Sequence, residues 1–102
     1  MMDYTMFKEL VNDKFMDYMP EKYRNGTLSI RKVNKINGSK DGLSILQKGE
    51  QGAPTIYVDD MYERFKQSDG LEATIKEFAD IYTEAAAKMP PIPGSLLTDG
   101  AK

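Results

Sequence analysis

The chain has 102 residues, with 14 Lys and Arg against 16 Asp and Glu, and contains neither cysteine nor histidine. That length makes one domain, which buries roughly two thirds of its unfolded surface in a single core without covalent staples. Lacking both residue types, the chain has no disulfide, thiolate nucleophile, ordinary zinc site or His-activated nucleophile, so catalysis and cofactor binding are not expected of it.

From Asp3 onward, Tyr4, Phe7, Leu10, Val11, Phe15 and Tyr18 or Met19 recur three and four apart with charged residues between them, which predicts an amphipathic helix. Asp3 is placed to cap it, and Pro20 should end it near Met19. After the turn at Arg24 to Gly26, two strands are predicted, Thr27 to Ile36 and Asp41 to Lys48, around Asn37-Gly38. A two-residue loop there pairs Ile30 with Ile45 and Arg31 with Ser44. One face of the hairpin then holds Leu28, Ile30, Leu43 and Ile45, and the other holds Ser29, Arg31, Val33, Lys35, Lys40, Ser44, Leu46 and Lys48. The stretch "NGSKDG" offers more than one turn, and Val33 fits the alternation only with a bulge.

"TIYV" (Thr55 to Val58) reads as a third short strand, with Ile56 and Val58 inward and Tyr57 outward. A helix from about Asp60 to Gln67 follows, broken by "SDG", and a last helix from Leu71 to Met89 shows Leu71, Ile75, Phe78, Ala79, Tyr82 and Ala86 at helical spacing. The economical assembly is an α+β fold of order αβββαα, a three-stranded antiparallel sheet whose one face is covered by the first and last helices. Residues 1–89 form this domain. "PPIPG" (Pro90 to Gly94) favours extended polyproline backbone, so residues 90–102 read as a proline-rich linker and the start of a further region.

Charge is unevenly distributed. Residues 1–19 carry two basic and four acidic side chains, residues 20–48 seven and two, and residues 49–102 five and ten. A basic middle between acidic ends suits a polar partner or internal pairing. No apolar run reaches the ~20 residues that span a bilayer, and the N-terminus has no signal-peptide pattern, so no membrane association and a cytoplasmic location are expected. Neither glycine-rich phosphate-loop pattern occurs.

Three constellations carry the functional expectations. Arg31, Lys35, Lys40 and Lys48 gather on the hairpin's outer face with Tyr57 alongside, and Tyr57 and Tyr62 are the tyrosines expected as partner contacts. Such a face fits a protein partner or the protein's own C-terminal region. The alternative is nucleic acid, with the cations on phosphates and an aromatic ring under a base. Asp59, Asp60 and Glu63, with Asp41 a further candidate, could hold a hard cation. Against that stands a capping role, with Asp60 as N-cap and Glu63 completing a capping box, and this reading is favoured because neighbouring residues of an extended strand point to opposite faces.

An opening like "DYTMFKELV", a hairpin reading "SIRKVNKINGSKDGLSI", then "PTIYVDDMYERF" and a leucine-led final helix resemble an uncharacterised domain-of-unknown-function family of bacterial proteins common in anaerobic gut Firmicutes. The resemblance covers roughly residues 3–89. It implies an N-terminal domain of a longer protein, and implies no activity, cofactor or catalytic residue.

Overall fold

Asp3 starts the first helix as its position predicts: its backbone is extended and its carboxylate accepts the Met6 amide at 2.9 Å. The computed structural model describes residues 2–47, 52–68 and 70–89 and places α1 over Tyr4–Lys14. The helix is shorter than predicted, because Phe15–Tyr18 tightens into a 3₁₀ turn and Met19 is extended (φ −90°, ψ 148°). Pro20 accounts for this, since its ring disfavours helical backbone at the residue before it. Arg24 fastens the turn, donating from Nε to the Met19 carbonyl at 3.0 Å and from Nη2 to the Asp17 carbonyl at 3.3 Å. A second 3₁₀ turn, Glu21–Tyr23, leads into the sheet.

The sheet comprises β1 (Thr27–Lys35), β2 (Gly38–Leu46) and β3 (Ile56–Tyr57), antiparallel throughout and ordered β1-β2-β3. α2 (Val58–Ser68) and α3 (Leu71–Lys88) complete the predicted αβββαα order of an α+β fold. The hairpin register differs from the expected one. Ile30 pairs with Leu43 and Arg31 with Gly42, so the connection is Ile36-Asn37 and not Asn37-Gly38. Gly38 closes it at φ 121°, a backbone region that a residue with a Cβ rarely enters. Because the strand period is two, shifting every partner by two residues leaves each side chain on its predicted face. Val33 sits opposite Lys40 in an unbroken ladder and needs no bulge.

The third strand is shorter than predicted. Val58 is fully buried, but as the first residue of α2 and not as the last of a strand. The core lies between the helices and the Leu43 and Ile45 face of the sheet, with Phe7, Phe15, Met61, Ile75 and Tyr82 almost wholly removed from water. Each such side chain contributes about 1.5–3 kcal/mol of burial free energy. α2 shares this cover through Val58, Met61 and Phe65, a role the sequence reading assigned to the first and last helices alone. Phe7 stacks on Phe65 with ring centres 5.2 Å apart, and Phe15 meets Tyr82 edge-on at 6.2 Å.

Candidate functional site

Cross-strand partners share a face, so the register brings Arg31, Gly42 and Tyr57 into one row across all three strands. This row lies on the side of the sheet opposite Leu43, away from the helices, hereafter the open face. Gly42 contributes no side chain at its centre, and its neighbours close over it. A Cβ there would lie 2.8 Å from the Thr55 methyl and 2.9 Å from a Val33 methyl, so any side chain would force both aside. Beside these methyls lies a shallow depression of about 220 Å³ whose walls include Ser29, Arg31, Val33, Leu46 and Thr55. Ser44 steadies the rim by donating from Oγ to the Pro54 carbonyl at 3.0 Å.

At the other end of the row Tyr57 is held by two lysines. Lys35 donates from Nζ to the Tyr57 hydroxyl at 2.6 Å and lies 4.3 Å from the ring centre. Lys40 lies 5.6 Å from the same centre and forms an ion pair with Asp60 at 3.0 Å, which raises its pKa above the ordinary lysine value. Arg31 is exposed and makes no ion pair among the described residues. Lys48 lies outside the described residues.

Of the four candidate acids, Asp59, Asp60 and Glu63 do not converge, and only Asp59 lies against Asp41. Asp59 turns back to β2 and accepts the Asp41 backbone amide at 2.6 Å, Asp60 pairs with Lys40, and Glu63 pairs with Lys66 one turn along α2 at 2.8 Å. Among the described residues no three His, Cys, Asp or Glu side chains are grouped to hold a metal ion. The expected cap is also displaced. α2 begins at Val58, so Asp60 is already inside the first turn, and Glu63 reaches forward to Lys66 and not back to a capping position. Asp59 and Asp60 still favour the helix through its positive N-terminal dipole.

Tyr62 is likewise placed elsewhere. It is packed on the helix side between Tyr4 (ring centres 5.4 Å apart) and Phe7 (5.2 Å), and its hydroxyl donates to the Met2 carbonyl at 2.9 Å. It pins the start of the chain to α2 and is not part of the open face.

Asp41, the further cation candidate, is 5 % exposed on the helix side and centres a polar cluster whose members sequence reasoning did not bring together. The Tyr4 hydroxyl donates to its carboxylate at 2.5 Å, with Lys8 at 3.5 Å and Lys32 at 3.8 Å. The Tyr4 hydrogen bond, followed by the two ammonium groups, holds Asp41 below the usual carboxylate range. Tyr4 is pushed in the opposite direction, upward, first by burial and then by its bond to Asp41. The available signal was parity: Asp41 shares the inward alternation of Leu43 and Ile45, and an inward acid in a strand requires partners.

The cluster at Asp41 ties α1 to the hairpin and leaves its charges internally satisfied, whereas the open face presents a cation, a depression and a lysine-flanked tyrosine to the outside. Among the described residues no helix is long and apolar enough to cross a membrane. No curated protein and no solved structure matches the chain. A family model does match, over residues 4–98 and so through nearly the whole sequence: the chain belongs to the family of unknown function DUF5688.

Proposed function

We propose that this domain is a non-catalytic protein-interaction module, and that a separate protein docks on its open sheet face through an acidic segment. The observation carrying this reading is the Arg31–Gly42–Tyr57 row, in which an exposed guanidinium and a tyrosine stand on either side of Gly42, beside a depression walled by Val33, Leu46 and Thr55. An uncharged centre with a polar, cationic rim is the composition of a protein interface. Carboxylates of the partner meet Arg31 and Lys35, and one small apolar side chain enters the depression between Val33, Leu46 and Thr55. The same features weigh against nucleic acid. Lys35 lies against the Tyr57 ring that a base would need, and Asp60 already neutralises Lys40. In this reading the domain serves as the N-terminal, recruiting part of a longer bacterial protein.

A displayed library of acidic peptides, selected on the purified protein, tests the proposal. Selected binders should lose at least about tenfold in affinity when Arg31→Glu is combined with Lys35→Glu, since charge reversal costs a few kcal/mol across an interface. Binders indifferent to that double change would overturn the assignment of the face. Tight binding of a single-stranded DNA or RNA oligonucleotide that falls steeply with salt would replace it by the nucleic-acid reading.

A further inference from the structure

β1 is an edge strand of nine residues with no neighbour on its outer side among the described residues. Which of its amides face outward follows from β2. Asp41 and Ile45 direct their amides away from β1, to Asp59 and to the Tyr82 hydroxyl, so the even-numbered residues of β2 bond toward β1. Their partners in β1 are the odd-numbered residues. Leu28, Ile30, Lys32 and Asn34 therefore point their amides and carbonyls outward, a row of backbone groups in the geometry of a missing strand. Beside this edge, on the helix side, lies a cleft of about 360 Å³ lined by Lys8, Glu9, Asn12 and Asp13 of α1 and by Ile30 of β1. On the other side of the edge stand Arg31 and Lys35.

We infer that the outer edge of β1 accepts one further strand, an extended peptide segment of the partner whose side chains alternate acidic with apolar or basic. One set of its side chains lies over the open face and meets Arg31 and Lys35. The alternate set enters the cleft, where Ile30 takes an apolar group and Glu9 and Asp13 take a base. The two sides of the edge differ in the charge left to a ligand, because Lys8 and Lys32 on the helix side are held by Asp41 and leave Glu9 and Asp13 to meet the peptide, so a peptide that carries acid on both faces sets carboxylates against those two acids. Main-chain bonds to β1 supply affinity and the two rows of side chains supply recognition, as in other strand additions. This rests on the open face being the protein-binding surface and specifies how the partner's backbone lies on it.

The probe is a synthetic ten-residue peptide with glutamate at every second position and valine, threonine and one lysine between. A peptide of the same composition with its glutamates in one block is the comparison. The alternating peptide should bind at least about tenfold more tightly. Lys32→Pro removes one outward amide at a position where an edge strand tolerates proline, and should weaken binding by about tenfold. Lys32→Ala loses the same contact with Asp41 but keeps the amide, and should bind within about twofold of the parent. A second measurement needs no variant. N-methylation of one alternate set of peptide amides should abolish binding, and methylation of the other set should be tolerated.

Equal tolerance of both methylated sets, equal affinity of the blocked peptide, or no binding of the alternating peptide would each overturn strand addition. If binding falls with Arg31→Glu and Lys35→Glu yet survives Lys32→Pro and both methylations, the open face still binds a protein and only the added strand is excluded.

Discussion

The two faces of the sheet have the same strands, the same alternation and the same three-row width, yet their side chains end in opposite conditions. On the helix side Leu43 and Ile45 are buried beneath α1, α2 and α3, and even the acid at Asp41 is satisfied by Tyr4, Lys8 and Lys32. On the open side Arg31 is exposed, a depression lies beside Gly42, and Lys35 and Lys40 meet Tyr57 and Asp60. The first face is consumed by folding, and the second is left over from it. A surface whose groups contribute little to stability is the one that can change or bind without cost to the fold, which makes the contrast measurable.

The largest effect should come from the covered side. Phe7→Ala removes a fully buried ring stacked on Phe65 and in contact with Tyr62, and should lower the unfolding free energy by about 3–5 kcal/mol in chemical denaturation. A loss below about 1 kcal/mol would mean that the helices do not seal this face. Tyr82→Phe keeps the ring against Phe15 but strips the hydroxyl that accepts the buried Ile45 amide at 2.7 Å, beyond the end of the two-residue β3. Leaving that amide unpaired should cost about 1–3 kcal/mol.

The cluster at Asp41 gives the comparison a pH dependence. Its folded pKa is depressed, so its contribution is fully present above the ordinary carboxylate value and is lost as pH falls through the folded value. Unfolding free energy measured from neutral pH down to about pH 2 should therefore decline through the acid range. Tyr4→Phe should flatten this decline, because it removes the largest cause of the depression, and should cost about 1–3 kcal/mol at neutral pH. An unchanged acid slope in that variant would show that the Tyr4 hydrogen bond does not set the acid sensitivity of the fold. The smallest effect belongs to the open side: Arg31→Glu with Lys35→Glu should leave stability within about 0.5 kcal/mol, since both side chains are exposed. A substantial drop in melting temperature would make this face structural and end the contrast.

Much of this was legible in the chain. The period of Phe7, Val11 and Phe15, the cap at Asp3, and the alternation of Leu28, Ile30, Leu43 and Ile45 all depend on neighbours within a few residues, and the structure bears them out. The outward direction of Tyr57 was legible for the same reason, since parity along a strand survives an error of two in its pairing. The register itself was not, because "NGSKDG" contains several residues that tolerate a turn, and only the assembled ladder selects Ile36-Asn37 with Gly38 closing it. Nor was the start of α2: a run such as "TIYV" is β-prone by composition, but Val58 is taken up, fully buried, as the first residue of the helix, which carries Asp60 past the capping position.

The partners of charged and aromatic side chains mark the same boundary. Lys40 with Asp60, Tyr4 with Asp41, and Tyr62 with the Met2 carbonyl are separated by 20, 37 and 60 residues, so no local pattern announces them. By itself the sequence determined the element order, the buried stripe of each helix and the two faces of the hairpin, because these follow from local backbone preference and hydrophobic period. Only the tertiary structure decided which of those polar groups are consumed inside the fold and which remain outside it. That choice depends on distances between segments remote in the chain, and it separates the satisfied acid at Asp41 from the exposed Arg31 only ten residues before it.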